Sequence, residues 1–447
     1  MPYRRRHRHH RSNYRNQYNR YQSHSADEKS LEIPGFYFDP IKKRYFHIPT
    51  NPSSQDQLKL KLDEEKPVKV LKVDGNYLNL LNRRQLSLDS STSFVNRLLH
   101  LKFSRMKSFY NIELNESDTD YPVFECKYLI GCPESSTFVA ACTLQRGGGV
   151  LVQSFSLESK NEDCNDMHVE FQNTCGINFC EKVTDLCILD VAEDKKYVLF
   201  TSVDVSPHPR HCSSVSVSSL THLNSYPQMC GVYEHEQHHE EKSLLWSCAW
   251  NKQTQTFAIG GEHLIRAINL NGGVCNIPFK ENCFSLTYNL FGNQLFVGSN
   301  IGNLSCFDLR SAKFISSQKL GKGISYIKLL KDENFIITSG FEGKLLQVDL
   351  RTWKPVLEYP EHVNDYLKLP FSIDEEANVL CSVGQDRNTR LWSLNEGKLL
   401  HSIRPDYPVL SVSDQPMAWY SASWQLSPQK TESCLVMTTQ NAILLYK

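Results

Sequence analysis

The sequence predicts an all-β protein: a seven-bladed β-propeller preceded by a disordered basic tail, an aromatic β-hairpin and a short helix–loop–helix. Three observations predict this architecture. The second half of the chain repeats with a period of about forty residues, each repeat reads as short strands separated by tight turns, and a helical period is found at residues 76–107. A hydrophobic content of 40% is sufficient for most of the 447 residues to bury a core.

The repeat is seen by aligning FAIGGEHLIRAINL, FVGSNIGNLSCFDLR, ITSGFEGKLLQVDLR and CSVGQDRNTRLWSL. Each stretch has a strand that ends in small residues, then a tight turn, then an alternating strand. The predicted turn positions, Glu262, Ile301, Glu342 and Asp386, are separated by 39, 41 and 44 residues. Six residues after each turn position lies a large apolar residue: Ile268, Phe307, Val348 and Trp392. This is the spacing expected when four strands make one blade.

Weaker copies extend the propeller over residues 118–447 and bring the total to about seven blades. STFVAACTLQRGGGVLVQSFSL and KKYVLFTSVDVSPHPRHCSSVSVSSL read as two upstream blades, and LVMTTQNAILLYK ends the chain. The last of these is predicted to be the third strand of its blade. Because a closed ring leaves no exposed sheet edge, the fourth strand is expected from the region before the first blade, near Tyr121–Leu129.

Three N-terminal segments precede the propeller. Residues 1–32 contain almost no aliphatic side chain and are predicted to be a disordered basic tail, with eight Lys/Arg and two acidic residues in the first thirty. We interpret residues 1–30 as a solvated tail, a nuclear-import signal, or an RNA contact made by arginines with interleaved tyrosines. Residues 33–49, IPGFYFDPIKKRYFHIP, predict an aromatic hairpin, and residues 50–117 predict the helical segment.

No catalytic, metal or cofactor site is predicted. The stretch YEHEQHHEEK matches H-E-x-x-H at His235–His239, but its charged flanks give no apolar helix face. A solvated loop over residues 234–241 is therefore favoured over adventitious metal binding or a peptidase. The 15 cysteines are scattered from Cys126 to Cys434 without a C-x-x-C pair, which favours small core residues in a reducing, intracellular compartment.

The best blade resembles a WD repeat. In that family a His, a Ser, a turn Asp and a Trp form a buried hydrogen-bonded tetrad, and the matching residues in this chain are His362, Ser382, Asp386 and Trp392. Buried imidazole, carboxylate and indole groups are tolerated when they satisfy one another. A hydrolase trio of Ser, His and Asp is the alternative, and the repeat context favours the structural role.

Two stretches carry a resemblance to a known family. The aromatic hairpin sequence and the segment Tyr359–Arg404 resemble the factor-four group of WD-repeat proteins associated with the damaged-DNA-binding adaptor and cullin four. The match is strong there, fair over residues 243–404 and weak over residues 50–240. The resemblance implies a non-catalytic substrate receptor of a cullin–RING ubiquitin ligase, with the adaptor and the cullin-four ligase as partners.

Receptors of this class carry a W-D-x-R box at the end of a blade's third strand, often in two successive blades. CFDLR and QVDLR match it through Asp308 with Arg310 and Asp349 with Arg351, while Phe307 and Val348 stand where the box has Trp. The resemblance implies that these arginines contact the adaptor, and guanidinium groups suit that task. The alternative is an ordinary strand-end ion pair, which contributes little stability when exposed.

The helix–loop–helix has two interpretations. In related receptors a helical segment inserts an apolar face into a groove of the adaptor. Phe94, Leu98, Leu101 and Phe103 are the candidates here, and the alternative is that they cap this chain's own propeller.

The competing function is a WD-repeat scaffold that uses the basic tail to associate with RNA or to enter the nucleus. No Gly-rich phosphate loop, nucleophile elbow, secretory signal or apolar membrane segment is recognised. The protein is expected to work inside the cell, in the nucleus, the cytoplasm or both.

Overall fold

The computed structural model of the protein describes its regular elements and the turns of its best-defined blades. The described residues are 36–39, 44–47, 77–86, 91–113, 123–132, 137–144, 150–159, 167–176, 181–192, 195–204, 213–219, 233–234, 243–270, 272–404, 418–427, 430–438 and 442–446. The chain divides into two compact units, Met1–Lys72 and Val73–Lys447.

The first unit contains the predicted aromatic hairpin. Strands β1 (Phe36–Asp39) and β2 (Arg44–His47) pair antiparallel, from Phe36 opposite His47 to Asp39 opposite Arg44. In the sequence, the Asp-Pro dipeptide that follows the first aromatic run is a turn signal. The hairpin prediction is therefore confirmed.

The second unit begins with the predicted helix–loop–helix. Helix α1 (Tyr77–Gln85) and helix α2 (Ser91–Ser104) are followed by strand β3 (Ser108–Glu113). Serines and an aspartate lie between the helices and at the start of α2, which are residue types that favour helix N-termini. No helix in the described parts of the chain is long and apolar enough to cross a lipid bilayer.

The remaining strands form antiparallel sheets whose neighbours follow one another in sequence. Six such sheets are found among the described residues: β4–β7, β8–β11, β12–β17, β18–β21, β22–β25, and β26–β28 together with β3. Their bounds are β4 (Val123–Cys132), β5 (Thr137–Leu144), β6 (Val150–Ser159), β7 (Met167–Gly176), β8 (Glu181–Ala192), β9 (Lys195–Asp204), β10 (Ser213–Ser219), β11 (Tyr233–Glu234), β12 (Leu245–Asn251), β13 (Thr256–Asn269), β14 (Val274–Tyr288), β15 (Gln294–Ser299), β16 (Asn303–Asp308), β17 (Lys313–Lys319), β18 (Ile324–Leu329), β19 (Phe335–Gly340), β20 (Leu345–Asp349), β21 (Lys354–Glu358), β22 (Phe371–Asp374), β23 (Val379–Val383), β24 (Thr389–Ser393), β25 (Leu399–Ile403), β26 (Ala418–Ser427), β27 (Lys430–Thr438) and β28 (Ala442–Tyr446).

These sheets form a β-propeller, in which β14–β17 repeat the four-strand pattern of the other sheets because the second half of β14 pairs with β15. Strand β8 contacts both β4 and β12, β14 contacts both β12 and β18, and β26 contacts both β22 and β4. The β18–β21 and β22–β25 sheets share a buried cluster that includes Ile337 and Phe371, so the contacts run from the first sheet to the last and back to the first, and the array is circular. Apolar side chains fill the space between neighbouring blades, as where Phe296 and Cys306 pack with Ile327 and Val348.

The predicted turns are confirmed by their backbone conformation. In all four aligned repeats the residue after the predicted turn position has a left-handed φ: 52° at His263, 87° at Gly302, 72° at Gly343 and 66° at Arg387. Left-handed residues reverse the chain within two or three residues, which produces a tight hairpin. The large apolar residues six positions after the turns, Ile268, Phe307, Val348 and Trp392, are all buried.

Ring closure differs from the prediction. The fourth strand of the last blade is β3, Ser108–Glu113, which pairs with β28 from Ser108 opposite Tyr446 to Glu113 opposite Ala442. The stretch near Tyr121–Leu129 that was expected to close the ring instead contributes to β4, the first strand of the first blade. The two candidates are close in sequence and similar in strand propensity, so only the pairing distinguishes them.

A buried ion pair links two blades that are not neighbours in the ring. The Lys368 ammonium, just before β22, lies 2.9 Å from an Asp185 carboxylate oxygen on β8 and also donates to the Trp246 carbonyl at 2.7 Å. Asp185 further accepts backbone N–H groups from Leu186 and Cys248, both at 3.0 Å. The pair therefore joins the two blades, with three hydrogen bonds to the Asp185 carboxylate and two from the Lys368 ammonium.

We predict that Lys368→Met destabilises the protein by about 3 kcal/mol, because it leaves the buried Asp185 carboxylate without its counter-charge. Thermal or urea denaturation of the two proteins measures this difference in the free energy of unfolding. Lys398→Met is the matched control: Lys398 pairs with Glu396 at 2.7 Å but is exposed, so its loss should cost less than about 1 kcal/mol. Equal effects of the two substitutions would contradict the stabilising role of the inner pair.

Candidate docking rim

Both predicted Asp-x-Arg pairs are formed, each at the end of a blade's third strand. At the end of β20 the Asp349 carboxylate accepts the Arg351 backbone N–H at 2.8 Å and two guanidinium N–H groups of Arg351, from Nε at 3.2 Å and from Nη2 at 3.3 Å. At the end of β16 Asp308 accepts the Arg310 backbone N–H at 3.0 Å, and its oxygen lies 3.5 Å from Arg310 Nε. Each aspartate thus holds the turn and orients the arginine.

The aspartates are held in their ionised form by these bonds. The side-chain hydrogen bond from Arg351 is the main cause that lowers the pKa of Asp349 below its usual value. The backbone N–H of Arg310 is the main cause that lowers the pKa of Asp308. Meanwhile the arginine side chains remain 76% exposed at Arg310 and 71% exposed at Arg351. The arrangement presents two oriented guanidinium groups to solvent, with most of their donors directed outward.

The two arginines lie on the same rim of the ring. Each follows the third strand of its blade, and successive third strands run in the same direction across the ring. The turn before each arginine is tied to the turn between the first and second strands of the same blade: Leu309 donates to the Asn293 carbonyl and Leu350 to the Asn334 carbonyl, both at 2.9 Å. We call this end of the blades, which carries Arg310 and Arg351, the arginine rim.

The box does not continue into the next blade. There the equivalent positions hold Ser393 and Asn395, although Leu394 still donates its N–H to the Asn378 carbonyl as in the other blades. The turn geometry therefore belongs to the repeat, whereas the guanidinium groups are local to the β14–β17 and β18–β21 blades.

Successive turns on the arginine rim are tied to one another. The Glu333 carboxylate accepts the Leu290 backbone N–H of the preceding blade, and Glu375 accepts the Lys331 backbone N–H at 3.0 Å. Charge-assisted bonds of this type are stronger than neutral ones and hold a fixed geometry. The rim around the two arginines is therefore a connected surface rather than a set of independent loops.

The helix–loop–helix packs on the propeller near the same rim. Phe103 is completely buried in a cluster with Val379, Leu400 and Tyr446, which come from the β22–β25 blade and the closing blade. Tyr446 ends β28, a third strand like β16 and β20, so it lies at the arginine rim. The C-terminal part of α2 is thereby fixed between two blades at that rim.

This packing separates the four predicted helix residues into two groups. Leu101 and Phe103 are buried, which fits the alternative that they cap this chain's own propeller and leaves them unavailable to a partner. Phe94 and Leu98 are half-buried, and the Arg84 guanidinium lies 5.9 Å from the centre of the Phe94 ring. Among the helix side chains that the structure describes, the exposed apolar ones are Tyr77, Leu81 and Val95. Helical periodicity alone did not distinguish these faces, because both are partly apolar.

Of the predicted tetrad, His362 lies close to Trp392 and Asp386, but the hydrogen bonds differ from the prediction, and the Ser382 hydroxyl donates to the Val383 carbonyl at 3.4 Å. The His362 ring packs edge-on against the Trp392 ring, with 6.2 Å between the ring centres. The Trp392 indole N–H donates to the Pro360 carbonyl at 2.9 Å. Asp386 binds Arg390 through both oxygens, at 2.9 and 2.5 Å. A bidentate guanidinium–carboxylate pair is stronger than a bond to a neutral imidazole, so Arg390 takes the carboxylate.

As a result His362 has neither ring nitrogen paired, although it is buried. Burial, with Arg390 nearby as the second cause, lowers the pKa of His362 to about 4. The sequence contained the signal for this correction: Asp386 and Arg390 are four residues apart around a tight turn, and Arg390 lies two residues before Trp392, on the same face of β24. The H-E-x-x-H segment His235–His239 lies outside the described residues, whereas Tyr233–Glu234 forms β11 beside β10.

Comparison with known proteins agrees with this fold. The sequence profile described as the DDB1- and CUL4-associated factor 4 beta-propeller domain matches residues 99–447. The chain is 26% identical to human DDB1- and CUL4-associated factor 4, over 88% of this chain and 82% of the relative. It is 25% identical to the bovine protein of the same name, over 90% of this chain and 84% of that one.

A third relative and one solved structure extend the comparison. Human DDB1- and CUL4-associated factor 4-like protein 2 is 30% identical over 40% of this chain and 47% of its own. The Raptor crystal structure from Chaetomium thermophilum superposes with a TM-score of 0.55 at 14% identity, and covers 77% of this chain and 30% of that one. This structural likeness supports the propeller fold alone.

The buried His362 predicts a pH dependence of stability. Its folded pKa of about 4 lies below the ordinary value of 6.5, so the folded state favours the neutral ring. The resulting stability is present above pH 6.5 and is lost as pH falls toward 4, up to about 3 kcal/mol at about 1.4 kcal/mol per pKa unit. His362→Leu should reduce the loss of unfolding free energy between pH 7 and pH 4.5, measured by urea denaturation. An unchanged slope in His362→Leu would contradict the assignment.

Proposed function

The chain belongs to the DDB1- and CUL4-associated factor 4 β-propeller family, and from this premise we propose that it is a non-catalytic substrate receptor of a cullin–RING ubiquitin ligase. Its relatives carry in their names the association with DDB1, the damaged-DNA-binding adaptor, and with the cullin CUL4. We transfer that association to this chain. The arginine rim docks the adaptor, and another surface of the propeller presents the substrate.

The observation that carries the proposal is the pair of aspartate-oriented, exposed arginines in successive blades. Arg310 and Arg351 occupy equivalent positions at the ends of β16 and β20, so they face the same partner surface. An arginine that is already held in one orientation loses less conformational entropy on binding. Its planar fork then pairs with carboxylates or carbonyl groups of the partner.

The helices extend this docking surface. Because α2 is anchored at the arginine rim through Phe103, the exposed Tyr77, Leu81 and Val95 belong to the same end of the molecule as the two arginines. An exposed apolar helix face beside a polar rim is the arrangement that a groove on a partner recognises. Phe94 and Leu98 are half-buried on the same helix as Val95.

The chain supplies position rather than chemistry. We infer that the six-stranded sheet divides at β14 into two blades, because β14 pairs with β13 through Val274–Asn282 and with β15 through Cys283–Tyr288. That division gives seven blades, and a ring of this kind is a rigid spacer between its two rims. A substrate held on it has a raised effective concentration near a ubiquitin-loaded enzyme elsewhere in the assembly. We propose that the protein performs this role inside the cell, in the nucleus, the cytoplasm or both.

The alternative of an RNA-associated scaffold depends on residues 1–30, which lie outside the described residues, and it stays a prediction. Salt-sensitive RNA retention that disappears when those residues are deleted would favour it.

We predict that Arg310→Ala/Arg351→Ala weakens binding of the purified adaptor by at least about tenfold without lowering the melting temperature. The reason is that two oriented interface guanidinium groups are lost while the exposed ion pairs contribute little to folding. Isothermal titration calorimetry and a thermal melt measure the two quantities.

The matched control for that variant is Lys322→Ala/Lys344→Ala. It removes the same charge from the turns at the opposite rim, where Lys322 pairs with Glu342. Adaptor binding should be unchanged in the control. Wild-type affinity in the arginine variant would refute these two docking residues.

We predict that Tyr77→Ala/Leu81→Asp weakens adaptor binding at an unchanged melting temperature, because both side chains are exposed. Phe103→Ala should instead destabilise the protein by about 3–5 kcal/mol, since it empties a buried aromatic site between two blades. Calorimetric affinity and thermal melts compare the variants. Undiminished affinity of Tyr77→Ala/Leu81→Asp would restrict the helices to capping the propeller.

A further inference from the structure

A cavity of about 180 Å³ opens between the β14–β17 and β18–β21 blades. Its apolar walls come from both blades: Phe296, Cys306 and Ile315 on one side, and Leu329, Leu350 and Trp353 on the other. Leu350 and Trp353 flank Arg351 in sequence. The cavity therefore lies at the arginine rim, between the two blades that carry the Asp-x-Arg boxes.

The mouth of the cavity is partly polar. Asn289 and Gln294 line it together with Glu333, whose carboxylate accepts the Leu290 backbone N–H. A carboxylate has about four acceptor positions, so Glu333 retains capacity for a further donor. Next to Asn289 the turn exposes Leu290 and Phe291 at 58% and 62%. Apolar surface thus continues from the cavity onto the rim.

We propose that this cavity is a binding site for one aromatic side chain of the adaptor, a tyrosine or tryptophan. In the adaptor this residue lies beside carboxylates that pair with Arg310 and Arg351. The inference rests on the proposed function and adds a specific anchor to it. A cavity of about 150 Å³ lined by apolar side chains takes a benzene molecule, so about 180 Å³ is sufficient for an aromatic ring. The phenol O–H or indole N–H would reach the Glu333 carboxylate at the mouth.

Three features favour the adaptor over a substrate as the occupant. The cavity lies between the two oriented arginines, so a residue that enters it must approach along the same surface. Deep aromatic anchors surrounded by charged contacts are the usual energetic centres of protein interfaces. The turns around the mouth are tied by the Glu333 and Glu375 bonds, so the cavity is present before the partner arrives.

The outer strands supply a matched pair of test positions. Ile315 on β17 lines the cavity and is 48% exposed, while Val356 occupies the equivalent position on β21, is 53% exposed and lies away from the cavity. Ile315→Trp places a bulky ring over the mouth, and Val356→Trp adds the same bulk to the neighbouring blade. Both residues are exposed enough that melting temperatures should remain near the wild-type value.

The experiment measures the affinity of purified adaptor for full-length wild type, Ile315→Trp, Val356→Trp and Arg310→Ala/Arg351→Ala by titration calorimetry. Ile315→Trp is expected to weaken binding by about tenfold or more, and Val356→Trp to change it by less than about twofold.

Wild-type affinity in Ile315→Trp would overturn the cavity as a binding site. If the arginine variant still loses binding in that case, the proposed docking rim stands without it. Equal losses in both tryptophan variants would also overturn the cavity, since the outer strands in general would then be responsible. Failure of the wild type to bind the adaptor would refute the proposed function itself.

Discussion

The pairing of β3 with β28 is the interaction on which the rest of the structure depends. A propeller is stable as a closed ring, because an open last blade would leave one edge of β28 unpaired. Closure here uses Ser108–Glu113, only a few residues after α2. The C-terminal end of α2 therefore lies where the ring closes, and Phe103 packs between the last two blades. The same pairing that completes the ring also decides which helix face is buried and which remains for a partner.

The arginine rim combines local and repeated structure. The repeat supplies a tight turn after each third strand, and Asp308 and Asp349 use that turn to fix the arginines that follow. Bonds between consecutive turns then join the blades at the rim. A surface built in this way is preorganised, so binding energy is not lost in ordering it. This feature distinguishes the pairs from ordinary exposed ion pairs, whose contribution to stability is small.

The WD-like blade shows how one arginine can change the hydrogen bonds of a buried polar cluster. Asp386 can accept either from a histidine or from a guanidinium group, and Arg390 is close enough to bind it through both oxygens. The stronger charge-assisted pair prevails, and His362 is left buried and neutral against Trp392. The fold tolerates this arrangement because Trp392 finds a different acceptor, the Pro360 carbonyl.

The features that are local and periodic could be predicted from the residue pattern. The forty-residue period, the four turns, the buried residues six positions later, the hairpin and both helices follow from short-range preferences that repeat along the chain. Contacts between residues far apart in sequence fixed the other features: the closing strand, the burial of Leu101 and Phe103, the Lys368–Asp185 link and the cavity beside Arg351. Local propensity is nearly the same for competing strands and helix faces. Only the geometry of the closed ring, which brings residues far apart in sequence into contact, selects among them.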